Sequence, residues 1–138
     1  MSLFTVFAIS GSGMAAESER LSAVASNLAN ANSATSSAGQ PYRAREVVFR
    51  AVSAGDGADP SSVGMAGVEV AGVVESNESL HSVYDPSNPL AGEDGYIQMP
   101  NVNPVDEMVN MISAQQDYEA NLEAFNVAKT LAARTLQI

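Results

Sequence analysis

The chain has no cysteine among its 138 residues, so no disulfide can staple it and no thiolate is available to a metal. Histidine occurs once, as His81. A lone imidazole on an expected strand edge reads as a surface or hydrogen-bonded residue, and it supports no Ser–His–Asp set. Cations are scarce too: six Lys and Arg stand against sixteen Asp and Glu, a net charge of −10. Three of the six, Arg43, Arg45 and Arg50, share one short stretch. Phosphate recognition needs clustered cations, so nucleic acid is excluded as a partner class. An acidic surface instead keeps a chain soluble and slows self-association by repulsion. No run approaches the ~20 apolar residues of a membrane span, so no direct membrane insertion is expected. The opening Met1-Ser2-Leu3-Phe4-Thr5-Val6-Phe7 lacks a basic region, and its apolar stretch breaks at Ser10-Gly11-Ser12-Gly13. No cleaved leader is expected.

Chemistry is equally sparse. Asp85-Pro86-Ser87-Asn88 resembles the start of a calcium loop only on the surface. Pro89 and Leu90 stand where a further oxygen ligand and the sharp-turn glycine belong. Gly11-Ser12-Gly13 is no phosphate loop, since no Lys-Ser/Thr follows and no strand precedes it. The carboxylates are spread along the chain rather than clustered. The expectation is a protein that is not an enzyme and holds no cofactor and no metal.

What the chain does have lies at its two ends. Apolar residues make up 46 % of it, an ordinary share for a globular protein of about one domain. Leu3, Phe7, Ser10, Met14, Glu17, Leu21, Val24, Leu28 and Ala31 recur at spacings of three and four, and seven of these nine are apolar. That pattern predicts a long helix over residues 3–32 with a coiled-coil-like seam. Gly11 and Gly13 are its weak point, each costing about 1 kcal/mol against alanine, and a bend or fraying is expected there. The second helix is predicted over 104–136. Asn103 caps it, Pro104 suits its first position, and Asp106 and Glu107 put negative charge in its first turn. Its stripe runs Val105, Met108, Ile112, Gln115, Tyr118, Leu122, Phe125, Lys129, Ala132, Leu136. Val109, Met111, Val127 and Leu131 lie off that stripe, so one partner helix cannot cover every apolar face.

Between the helices, residues 40–53 and 67–75 read as strands, with shorter extended pieces at 80–84 and 95–100 and a Gly-rich loop at 54–66. The expected fold class is mainly α with a small β-rich middle, its long terminal helices forming a coiled-coil-like pair with short strands between them. Three consecutive segments follow: an N-terminal helix in 1–36, the β-rich middle in 37–100, and a C-terminal helix in 101–138, the helices packing as one inner domain. Amides beside both stripes, among them Asn27, Asn30, Asn32, Asn110, Gln115 and Asn121, suit contacts where register and partner must be fixed. The candidate subunit-contact residues are therefore Leu3, Phe7, Met14, Leu21, Val24, Asn27, Leu28, Asn30 and Asn32 on the first helix. On the second they are Met108, Ile112, Gln115, Tyr118, Leu122, Phe125 and Leu136.

Local strings then carry a resemblance. Ser26-Asn27-Leu28-Ala29-Asn30-Ala31-Asn32 resembles the N-terminal signature of bacterial flagellar rod and hook axial proteins. Pro41-Tyr42-Arg43-Ala44-Arg45-Glu46-Val47-Val48-Phe49 is similar to the segment that follows it in proximal-rod members of that family. So are Gly95–Asn103, leading into Glu107–Ala114, and the ending Phe125–Ile138. Only the patch around 54–66 lies outside the likeness, so the chain is expected to be whole. The resemblance implies a structural subunit of the proximal rod of the flagellar basal body, polymerising through its terminal helices into a torque-bearing tube. It implies export by the flagellar type III apparatus into the periplasmic space. It also implies contacts with copies of itself and with rod proteins of the B, F and G types. A distal-rod or hook-junction component, or a helical secretion adaptor, is the rival expectation.

Overall fold

The computed structural model describes residues 3–35, 39–53 and 66–135. In chain order these form α1 (Leu3–Asn30), β1 (Arg45–Ser53), β2 (Ala66–Glu75), β3 (His81–Tyr84), β4 (Tyr96–Met99) and α2 (Pro104–Thr135). The strands make two separate two-stranded antiparallel sheets, β1–β2 and β3–β4. Two long terminal helices and a small β-rich middle are thus present. Residues 54–65 of the expected loop and Leu136 at the expected helix end lie outside the described residues. β1 begins at Arg45 rather than at residue 40. Pro41 has no N–H to give a ladder, and Ala44 gives its own to the side chain of Asn101 at 2.8 Å.

The chain gathers into two compact units, and each draws on both helices. The first comprises residues 1–21, 47–72 and 112–138; the second comprises 22–46 and 73–111.

In the first unit α1 runs through Gly11 and Gly13 without interruption, so the helix does not fray there. Gly13 is instead a point of close approach. A Cβ there would lie 2.8–3.0 Å from three atoms of the Asn121 amide on α2. Between the glycines, the Ser12 hydroxyl donates to the Ile9 carbonyl at 2.8 Å and accepts the Val68 N–H of β2 at 3.1 Å. Phe7 meets Phe125 edge-on with ring centroids 4.8 Å apart, and Arg20 bridges Glu17 at 3.5 Å and Asp117 at 3.7 Å. Along α1 these contacts ascend through 7, 13 and 20; along α2 they descend through 125, 121 and 117. The two stretches therefore lie side by side and antiparallel. The fully covered apolar side chains are Ala16, Ala114 and Ala128.

The two helical glycines make a paired prediction. Nothing lies within 4 Å of a Cβ built on Gly11, so Gly11→Ala should gain about 0.5–1 kcal/mol from backbone entropy. Gly13→Ala should be less favourable than Gly11→Ala, because the Asn121 amide, which donates to the Asp117 carbonyl at 2.9 Å, must shift to make room. Urea denaturation of both variants checks this, and equal effects of the same sign would contradict it.

In the second unit α1 ends at Asn30, whose carbonyl takes both the N–H (3.0 Å) and the hydroxyl (2.6 Å) of Ser33. Such local competition is why small polar residues end helices. Ala31, Ala44 and Val102 form a small buried cluster, with Tyr42 packed against it. β3 pairs with β4 from His81↔Met99 to Tyr84↔Tyr96, and Thr35 bridges Gln98 on the far side of β4. Gly95 closes the hairpin at φ 75°, and a Cβ there would meet the Tyr84 ring at 2.7 Å. α2 starts as its sequence predicts. The Asn103 side chain accepts the Val105 N–H at 3.1 Å and donates to Asp106 at 2.7 Å.

At the hairpin turn the Asp85 carboxylate accepts the Ser87 hydroxyl at 2.6 Å and the Ser87 N–H at 3.2 Å. The hydroxyl is the main cause holding Asp85 below its ordinary acidity range. Because the folded value is the lower one, the bonded turn is favoured above the unfolded carboxylate pKa and loses that support as pH falls through the folded one. Ser87→Ala should raise the Asp85 pKa toward its ordinary value in an NMR titration. An unmoved value would refute the hydroxyl as cause.

Candidate assembly surface

Among the described residues no group of His, Asp or Glu is placed to hold a metal ion, and no helix is long and apolar enough to cross a membrane. The chemistry on offer is that of helix faces and of amides.

The densest polar arrangement is in the second unit. Asn27, on α1, is only 1 % exposed, and its amide is fully used. Its Oδ1 accepts the Arg45 N–H at 2.8 Å and the Tyr42 hydroxyl at 2.9 Å. Its Nδ2 donates to the Arg45 carbonyl at 2.9 Å and to Glu107, at the start of α2, at 3.1 Å. A carboxamide offers one carbonyl oxygen and two N–H groups. Here it grips both backbone groups of Arg45 as a neighbouring strand would. Asn101 does similar work on Ala44: its Oδ1 accepts the Ala44 N–H at 2.8 Å, and its Nδ2 donates to the Glu78 carbonyl at 3.2 Å. Arg43 donates to the Ser76 carbonyl at 3.0 Å. The segment leading into β1 is thus clasped by side chains from sequence-distant parts of the chain.

The other notable feature is what α2 leaves uncovered. Val105 (67 % exposed), Met108 (52 %), Val109 (60 %) and Ile112 (57 %) follow one another along α2. At 3.6 residues per turn their spacing of three and four puts them on one stripe. Glu107, Ala114, Asn121, Phe125 and Ala128, which are buried or half-buried, project from the opposite side. The helix therefore carries two apolar faces, one covered by its own chain and one bare. A soluble helix ordinarily has a single such face. Farther along, Val127 and Leu131 are also about half exposed.

The candidate contact residues divide accordingly. Val24 and Asn27 are buried within their own chain, and Phe7, Met14, Leu21, Leu28, Asn30, Tyr118 and Phe125 are half-buried. Asn32, Met108, Ile112, Gln115 and Leu122 are exposed. The side chains of Leu3 and Leu136 lie outside the described residues. Val105 and Val109, the two most exposed members of the bare stripe, are missing from the candidate set. The reason is helical drift. From Val105 to Phe125 the traced stripe takes six steps over only 20 residues, short of six full turns at 3.6 residues each, so it slides by about 160° around the helix. The stripe traced from sequence thus begins on the bare face at Val105 and ends on the covered one at Phe125 and Ala132. The i, i+3, i+4, i+7 set at 105, 108, 109 and 112 was the available signal.

Comparison with known proteins is consistent along the chain. Residues 7–35 match the family model described as flagella basal body rod protein. Residues 93–138 match the one described as the C-terminal region of flagellar basal body rod FlgEFG proteins. The flagellar basal-body rod protein FlgC of Salmonella typhimurium is 49 % identical over 138 residues, spanning 100 % of this chain and 98 % of that protein. Its counterpart in Yersinia enterocolitica is 46 % identical over the same span. That of Aquifex aeolicus is 43 % identical over 137 residues, covering 99 % and 97 % of the two chains.

Proposed function

This chain belongs to the FlgC family of flagellar basal-body rod proteins, and from that premise we propose that it enters the rod through the bare face of α2. It is a structural subunit of the rod, located in the flagellar basal body. The single observation that carries the proposal is the exposed run Val105, Met108, Val109, Ile112, set opposite the face that α2 turns to its own chain. Burying each such aliphatic side chain is worth roughly 1.5–3 kcal/mol, a gain that a neighbouring subunit would supply.

The reading extends to place and partners. The subunit belongs to the proximal rod and transmits torque. Its neighbours are copies of itself and rod proteins of the B, F and G types, and it arrives through the flagellar type III apparatus. A contact between unlike faces of successive subunits builds a helical array when its rotation does not close into a ring. The role is mechanical, with no reaction to catalyse. Sedimentation of the purified chain, alone and mixed with each neighbouring rod protein, tests it. Complexes should form with the unaltered chain and vanish with Val109→Asp; binding that survives this change would sink the proposal.

A further inference from the structure

We infer that Asn27 is a positioning residue for assembly: through Glu107 it sets the rotation of the first turns of α2, and so the direction in which the bare stripe faces. The inference rests on the stripe being the contact surface. Its geometry lies wholly within the second unit. Asn27 donates from Nδ2 to Glu107 Oε2 at 3.1 Å while its other three hydrogen bonds hold Tyr42 and both backbone groups of Arg45. Glu107 stands two residues from both Val105 and Val109, about 200° around the helix axis from each. A bond at Glu107 therefore turns Val105, Met108 and Val109 away from the chain. Few other contacts could do so. The first turns of α2 contain no buried apolar side chain, the buried residues of this helix being Ala114 and Ala128 farther along. The Asn103 cap fixes where the helix begins, not which way it faces.

The donor and acceptor roles make the idea testable by exchange. Glu107→Gln keeps an amide oxygen able to accept from Asn27, so rod incorporation should stay near normal. Glu107→Ala removes the acceptor and leaves every other bond of Asn27 in place; incorporation should fall about tenfold, as for loss of one hydrogen bond to a charged group. Asn27→Asp sets two carboxylates against each other and should do at least as much harm. Asn27→Asp with Glu107→Gln reverses the bond, the introduced amide N–H on α2 now donating to the introduced carboxylate on α1; the Arg45 carbonyl lacks its donor in both variants, so the double variant should recover only the part of the loss that is due to Glu107. General weakening of the fold gives no reason for such a rescue. The assay is the amount of full-length chain in purified basal bodies from a strain lacking its own copy, with Val109→Asp alongside. If Val109→Asp is excluded while Glu107→Ala incorporates as well as Glu107→Gln, the inference is overturned alone. A double variant no better than Asn27→Asp overturns it too. Normal incorporation of Val109→Asp removes the stripe reading itself, and this inference with it.

Discussion

Val109→Asp combined with Ile112→Asp is expected to exclude the protein from the rod and abolish swimming, while the free chain still folds. Both residues are more than half exposed in the isolated chain, so a carboxylate at either stays solvated and costs the fold little, Val, Ile and Asp having similar helix propensities. Under a neighbour the balance reverses. Two aliphatic contacts worth roughly 1.5–3 kcal/mol apiece disappear, and two carboxylates must leave water at a penalty of several kcal/mol each. The combined effect exceeds a thousandfold in affinity, since each ~1.4 kcal/mol is tenfold. Swimming assays and quantification of the chain in purified basal bodies measure the loss, and circular dichroism checks that the helices persist. A motile strain carrying both changes would refute the role given to this face.

The second large effect concerns folding. Asn27→Leu should destabilise the chain by about 3–5 kcal/mol, although leucine suits a helix better than asparagine does. The substitution strands the N–H and the carbonyl of Arg45 in a site that is 1 % exposed at residue 27. Each buried unpaired group costs about 1–3 kcal/mol. The Tyr42 hydroxyl and the Glu107 carboxylate lose their partner as well. Equilibrium denaturation measures the change. A loss under about 1 kcal/mol would mean that water satisfies these groups, and that the amide is not the tie it looks to be.

Asn27 also marks the limit of what the sequence discloses. Its position beside the apolar stripe identified it as an amide that fixes register, but its partners lie 18 and 80 residues away. Nothing local announces that those partners belong to the same chain. Gly13 behaves likewise: helix propensity reads it as a weakness, and only the arrival of Asn121 makes it a contact. Features set by near neighbours were legible. The Asn103 cap and the short extended pieces at 80–84 and 95–100 follow from a few adjacent residues. The division into two units was not, because each gathers stretches that lie far apart along the chain. The bare face of α2 was half legible, its apolar residues plain and its direction hidden because the traced stripe crosses from one side of the helix to the other.

The smallness of the core has a consequence for mechanics. Among the described residues, five of the eight buried apolar side chains are alanines. A methyl group gains only about a third to a half of what a buried leucine gains. Such an interior gives shape without much resistance, since hydrogen bonds that specify geometry are short-ranged and break over small extensions. Stretched between its ends, the single molecule should yield at low force, which an optical-trap pull would record. Stiffness would then be a property of the array and not of its building block, acquired as each bare helix face is covered and absent from any subunit still waiting to be placed.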